Sequence, residues 1–559
     1  MITFPEFDLQ DPQEDQLLAD WEGVLDTLEG DASSTARLDK LESWERARRS
    51  FQDWRALVGV RFHQDTQDEA RRLRRERSDQ LDARITTLDA KIKRAFIAAL
   101  PDEAVEARVG DTALARWAAD VKAGDPALEE DLIAESKLGA AYTALRGGAK
   151  IEFEGQQYPM PAMGKFAVDP DRTRRIAAHE ALWAWWAANG GEVDRIYDEL
   201  VSLRHGMAQR LGLSSFVELG YLRMHRVDYT REDVARFRGA VQEHVVPLAA
   251  RLFADQASRL GVDRLRYADE AVHHPEGNPE PVAGPEGLAA LGQKAFGALH
   301  PELGAFFDLL VDRQLLDLPT RPGKAGGGFC SFLPETGLPF IFANCNGTQG
   351  DVRVLVHETG HAFQMYQSRT QDLMEKIFPT YEACEVHSMG LEFLAWPQME
   401  TFFGADADRY RRSHLIQALC FLPYGVAVDH FQHEVYDNPD WTPAERHAAW
   451  KRMEALYLPW RSYGDVAYAN EGTFWQRQMH IVAAPFYYID YTLAQTCALQ
   501  FWARSLDDHA GAMEEYVALC KRGGTLPFQA MARSANLISP FDPGCLAHVA
   551  ARAAAWLEN

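Results

Sequence analysis

The sequence predicts a mainly α-helical protein of more than one lobe with a small β-sheet, and three observations carry that expectation. Apolar residues recur at three- and four-residue steps through most of the chain, as in the stripe Leu81, Ile85, Leu88 and Ile92. Period-two alternation and short apolar runs are confined to two places, AKIEFEGQQY at 149–158 and LPFIFAN at 338–344. The 559 residues exceed what one simple core usually holds, and 47% hydrophobic against 25% charged residues suffices to bury a large one.

Charge and punctuation exclude several classes. A formal net charge of −24 argues against a nucleic-acid partner or an anionic membrane surface. The start, MITFPEFDLQDPQEDQ, is acidic and lacks the basic and apolar regions of a signal peptide. No run approaches the ~18 apolar residues of a membrane span. Seven scattered cysteines, an odd number without CxxC spacing, suit a reducing compartment, so a cytoplasmic protein is expected. Oligomeric state is not encoded in any of this.

Residues 1–150 read as an N-terminal helical lobe, and the alternating run around Glu154-Gly155 as a β-hairpin at its boundary with the region 151–559. The basic run RRLRRER at 71–77 reads as a solvated helix face paired with neighbouring acids. In the next helical stretch, Trp183, Trp185 and Trp186 are core candidates and Gly190-Gly191 a helix stop. HPEGNPEPVAGP, 274–285, is a surface loop, and PGKAGGGFCSFLP, 322–334, a glycine-rich flexible connector without the order of a phosphate loop. Pro339 inside LPFIFAN marks that strand as an edge, either able to pair with an extended peptide or covered by another part of the protein.

The chemistry concentrates in DVRVLVHETGHAFQMY, 351–366. His357 and His361 are four apart, so on a helix both imidazoles face the same way, one turn apart, and reach one ion. Glu358 lies beside the first, placed to take a proton from water without binding the ion. This is the pattern of a zinc peptidase, in which the ion activates a water and polarises the scissile carbonyl. A catalytic zinc takes three protein ligands. Past Pro379, Thr380 begins a second helix, YEACEVHSMGLEFLAW, offering Glu382, Glu385, His387 and Glu392. Spacing favours a glutamate but does not choose among them.

HETGHAFQ, then YEACEVHSMGLEFLAWP, then PFYYIDYTLAQTCALQFW, together resemble the M3 family of metallopeptidases, in its bacterial oligoendopeptidase F-like branch. The likeness is strong over roughly 320–505 and looser elsewhere. It implies a two-lobed helical body around a deep central cleft and one Zn²⁺ per chain. The family pattern E-x-x-S-x-x-L-E falls on Glu385, Ser388, Leu391 and Glu392, so the resemblance selects Glu385 to join His357 and His361 as metal ligands. It also suggests Glu382 as a partner of a ligating histidine. Downstream it points to His480, Tyr488 and Tyr491, with Tyr487 adjacent, as groups closing over substrate. A further family tyrosine would fall on Ala484, a departure from the pattern.

The expectation is therefore a metalloendopeptidase that cleaves short oligopeptides by Glu358-assisted attack of zinc-activated water, with His480, Tyr488 and Tyr491 assisting. A zinc carboxypeptidase of similar helical architecture is the alternative, separated by peptides blocked at the C-terminus. A non-catalytic zinc-containing peptide-binding protein is the alternative from another class, and the intact base Glu358 argues against it.

Overall fold

The computed structural model describes residues 3–30 and 32–558; Met1 and Ile2 of the acidic start lie outside the described residues. Helices dominate. Those needed here are α1 (Glu14–Glu29), α2 (Ser34–Gln64), α3 (Glu69–Ala98), α4 (Asp111–Ala123), α5 (Arg172–Arg210), α6 (Gln349–Ser368), α7 (Tyr381–Leu394), α8 (Ala407–Asp437) and α9 (Tyr488–Ser505). Among the described residues five strands make two sheets: β1 (Ile151–Phe153) with β2 (Gln156–Tyr158), and β3 (Leu316–Pro319), β4 (Phe329–Leu333) and β5 (Leu338–Cys345) in the order β3-β5-β4. Among the described residues no helix is long and apolar enough to cross a membrane.

The amino-terminal helices pack around indoles. Trp44 meets Trp21, Phe96 and Trp117 edge-on or tilted, and Leu81, Ile85 and Ile92 of the predicted stripe are buried beside them, with Leu88 half-buried. The basic run on α3 is paired with acids as expected: Arg72 with Glu69 and Glu76, Arg74 with Asp8 and Asp11, Arg75 with Asp79. This cluster is not sealed off. It takes in Leu373 from the segment between α6 and α7, while Leu57 and Val60 of α2 belong to the large core of the remaining chain.

The β1–β2 hairpin forms at the expected place, with Glu154 and Gly155 both at positive φ, as a two-residue primed turn requires. Trp183 and Trp186 are core residues. Three expectations are corrected. Gly190-Gly191 does not stop a helix, since α5 runs through it to Arg210. Gly190 is small because a Cβ there would meet the Tyr468 hydroxyl at 1.6 Å. The 322–334 segment is not a free connector. Gly323 accepts from Thr66 N at 2.7 Å, Ala325 N donates to His63 O at 2.8 Å, and Lys324 holds Asp317 at 2.8 Å before the chain enters β4.

The third correction concerns β5, which is the central strand, parallel to β3 and antiparallel to β4. Ile341 N bonds Leu315 O, so the nitrogens of odd-numbered β5 residues face β3. Pairing with β3 begins only at Ile341, and the nitrogen of Pro339 faces the side β3 has not yet reached. The proline therefore costs no ladder bond. The edge strands are β3 and β4, and the outward backbone groups of β4 are those of Cys330 and Phe332.

Candidate active site

Helix α6 presents His357 and His361 on one face, and α7 crosses it closely. Gly360, between the histidines in sequence, sits at the crossing: a Cβ there would come within 2.7 Å of His387 O and Ser388 Cα. The lack of a side chain lets the two backbones touch, and Glu385 on α7 then reaches both imidazoles. Its Oε2 lies 3.4 Å from His357 Nε2 and 3.5 Å from His361 Nε2. Ligand atoms of these three residues all lie within 4.8 Å of one another. Two imidazole nitrogens and one carboxylate oxygen converging on one point fit Zn²⁺ with an open position left for reaction.

Around this triad the polar groups are directional. His357 Nδ1 bonds Glu392 Oε1 at 2.7 Å, which leaves the Nε2 lone pair facing Glu385 and His361. The other Glu392 oxygen bonds His414 Nε2 at 2.9 Å, and His414 Nδ1 accepts from Trp396 Nε1 at 3.0 Å. An indole N–H only donates, so His414 carries its proton on Nε2 and donates it to Glu392. Tyr487 Oη donates to Glu385 Oε1 at 2.8 Å, and Ser388 Oγ to Glu385 Oε2 at 3.1 Å. Burial, then the Glu385 charge, pushes the Tyr487 hydroxyl well above its ordinary range, so it stays a donor. Glu358 is buried, and burial raises its carboxyl against the opposing pull of His357 and His361.

The downstream cluster sits over the triad. His480 lies with its ring centroid 5.8 Å from Tyr487, 5.1 Å from Tyr488 and 5.8 Å from Tyr491. Tyr487 owes its position to Phe486, a fully buried residue at φ 68, whose N–H donates to Gln432 Oε1 at 2.8 Å and whose carbonyl accepts from Arg226. A non-glycine residue in that region costs on the order of 1 kcal/mol and persists only where its surroundings dictate it.

All the residues singled out in the sequence, His357, Glu358, His361, Glu385, His480, Tyr488 and Tyr491, fall in one region of the fold. Two assignments shift. Glu382 does not touch a ligating histidine: it is buried, and its carboxylate makes no hydrogen bond among the described residues. It occupies the face of α7 toward Asp490 and Arg226, while Glu392, a residue weighed only as a rival ligand, meets His357. Tyr487, merely adjacent in the sequence reading, is the tyrosine that contacts Glu385. Tyr488 packs instead on Phe421 and Tyr424. His414, Trp396 and Gly360 were missed; His414 has no local signal because it arrives from α8, and Trp396, at the end of the second motif stretch, matters only through its bond to His414.

The segment joining α6 to α7 is gripped from the amino-terminal helices. Arg48 of α2 makes two bonds, 2.5 and 3.1 Å, to Glu375, which is only 5% exposed. Arg49 donates to Gln371 O, Arg108 pairs with Asp372, and Arg116 of α4 donates to the carbonyls of Glu375 and Phe378.

A histidine pair on one helix, closed by a glutamate from a helix packed against it within a mainly helical body, is the arrangement of a helical metallopeptidase. Residues 306–550 match peptidase family M3, and residues 4–123 match the peptidase M3 N-terminal domain. A solved structure provisionally named oligoendopeptidase F is 43% identical, with 100% of this chain and 99% of that one covered and a TM-score of 0.95. A PZ peptidase A solved with an inhibitor is 41% identical, with 99% of both chains covered and a TM-score of 0.94. A provisional oligoendopeptidase F from Bacillus anthracis str. Ames is 39% identical over 100% and 98% of the two chains, with a TM-score of 0.90. No curated protein matches. The chain belongs to peptidase family M3 and is a peptidase of the oligoendopeptidase F-like kind.

Proposed function

We propose that the protein is a cytoplasmic zinc endopeptidase that hydrolyses short oligopeptides, with His357, His361 and Glu385 holding one Zn²⁺ per chain. The convergence of those three side chains beside a buried Glu358 is the observation that carries the reading. When bound, the ion supplies Lewis acidity that activates water and polarises the scissile carbonyl. Glu358 takes the proton of the attacking water and passes it to the leaving amine; its raised carboxyl suits a group that must both accept and return a proton. Glu392 keeps His357 in the tautomer that offers Nε2, and Tyr487 and Ser388 orient Glu385. His480 and Tyr491, whose hydroxyl burial keeps protonated, line the space above as donors to the oxygen on which charge develops. Tyr488 buttresses His480 and Tyr424. The backbone of Cys330 and Phe332 on the β4 edge is the surface with which an extended peptide would pair. Residues 1–150 form the N-terminal lobe and 151–559 the catalytic region, with substrate taken between them.

Mass spectrometry of products from a defined set of peptides, with and without chelator, tests this. Internal cleavage of peptides amidated at the C-terminus, abolished by chelator and restored by Zn²⁺, is expected. Cleavage of unblocked peptides only, one residue at a time from the C-terminus, would make the enzyme a carboxypeptidase.

A further inference from the structure

The His480 ring makes one hydrogen bond among the described residues: its Nδ1 lies 2.7 Å from Gln478 Nε2. The other end of that amide, Oε1, accepts from Tyr424 Oη at 2.8 Å. Tyr424 belongs to α8 and is wedged among the rings of Trp450, Phe474 and Tyr488, so its hydroxyl has little freedom to leave this bond. The Gln478 backbone is pinned as well, its N–H on Trp475 O and its carbonyl accepting from Ile481 N. A carboxamide has one accepting end and one donating end. A tyrosine hydroxyl can accept as well as donate, but among the described residues Tyr424 Oη has no other acceptor for its proton, so it donates to Oε1, and the NH₂ group is turned to His480 and must find a lone pair there.

We infer that Gln478 is a positioning residue that fixes His480 in the tautomer protonated on Nε2, with Tyr424 setting the orientation of the amide. Nε2 makes no hydrogen bond among the described residues, and the ring stands beside Tyr487 and Tyr491 over the metal triad. The uncharged ring therefore presents an N–H to the site. Burial lowers the His480 pKa, which keeps the imidazole neutral and makes its tautomer matter. A protonated ring would donate whichever way the amide lay; a neutral ring in the other tautomer would offer only a lone pair to the space where negative charge develops. The role as a donor to substrate rests on the peptidase reading above; the tautomer does not.

The test is long-range proton–nitrogen NMR on full-length, metal-free protein labelled with ¹⁵N-histidine. The His480 signals are assigned by their loss in His480→Gln. An unprotonated Nδ1 and a protonated Nε2 are expected, and a protonated Nδ1 overturns the inference. In Gln478→Leu the ring should populate both tautomers; an unchanged pattern overturns it. Should that variant not fold, Tyr424→Phe keeps the ring packing and removes only the hydroxyl, and the same mixture is expected there. On the zinc enzyme, Gln478→Leu should lower kcat about two- to fivefold with KM unchanged, because part of the population lacks the donor; a fully wrong tautomer in a catalytic triad costs about 10⁴-fold. If wild-type zinc enzyme cleaves no peptide while the NMR result stands, the peptidase reading fails and the tautomer assignment survives.

Discussion

Replacing Glu392 by glutamine separates a metal ligand from the group that orients one. Glu392 is 7% exposed and accepts two hydrogen bonds, 2.7 Å from His357 Nδ1 and 2.9 Å from His414 Nε2. Both of those nitrogens carry protons, His414 because its Nδ1 is occupied by the Trp396 indole N–H. A carboxylate can accept from both. A carboxamide cannot: one of its ends is itself a donor, so in either orientation one N–H meets another. If the clash falls on His414, a buried donor is left unmade, at a cost of about 1–3 kcal/mol in stability. If it falls on His357, the ring is driven to the tautomer that turns a proton toward the metal position. Loss of such a partner weakens metal affinity by roughly 10–100-fold, equivalent to about 1.4–2.8 kcal/mol at 1.4 per tenfold. Zn²⁺ affinity measured by competition with a chromophoric chelator, beside a urea titration of each variant, reads both quantities. Glu385→Ala, which removes a ligand, should lose far more affinity than Glu392→Gln, and Glu382→Gln should change stability without a matching loss of affinity. Unchanged affinity and stability in Glu392→Gln would refute the argument, and abolished binding there with binding retained in Glu385→Ala would exchange the two roles.

Glu358→Gln should fold and retain zinc by atomic absorption but lose about 10²–10⁴-fold in kcat as the proton acceptor disappears. Tyr487→Phe removes the bond to Glu385 and should raise the Zn²⁺ Kd by about tenfold, at the mild end of such effects, with a near-wild-type urea midpoint. Glu375→Gln leaves Arg48 and Lys93 buried with less opposing charge and should cost about 3–5 kcal/mol of unfolding free energy by urea titration. Asp120 is half-buried, yet its hydrogen bond to His225 and the charge of Lys93 hold its carboxyl down at about 2. A depressed folded-state pKa stabilises above the unfolded value, near 4, and the gain is lost as pH falls from about 4 toward 2. The urea midpoint should fall over that window, and less steeply in Asp120→Asn.

Local patterns carried the helices, the hairpin and the paired histidines, because each is written in neighbouring residues: three- and four-residue steps, a Glu-Gly turn, a spacing of four. What failed to show needed a partner from elsewhere. Pro339 looked like an edge marker, yet whether a missing N–H costs a bond depends on how far β3 extends beside it. Gly190-Gly191 looked like a stop, yet the glycine answers to Tyr468. Glu382 and Glu392 stand three before and seven after Glu385 on one helix, and only the crossing with α6 and the arrival of His414 from α8 distinguish them. The tyrosine that touches Glu385 is set by the turn at Phe486, whose positive φ no residue type announces.

The arginines that hold the segment between α6 and α7 give the metal site a thermodynamic connection to the opposite end of the chain. Two ligands precede that segment and the third follows it, so its docking onto α2 and α4 and the closing of the triad are not independent events. Linkage makes the coupling reciprocal. Whatever loosens the docking weakens metal affinity, and metal loading in turn protects the docked segment by the same free energy. The amides of 369–380 should thus exchange hydrogen more slowly in the zinc-loaded enzyme, though none of them touches the ion. A fragment beginning at residue 306 would keep all three ligands and lose the grip of Arg48, Arg49, Arg108 and Arg116 on the turn between them. The amino-terminal helices are in that sense part of the metal site's affinity without contributing an atom to it.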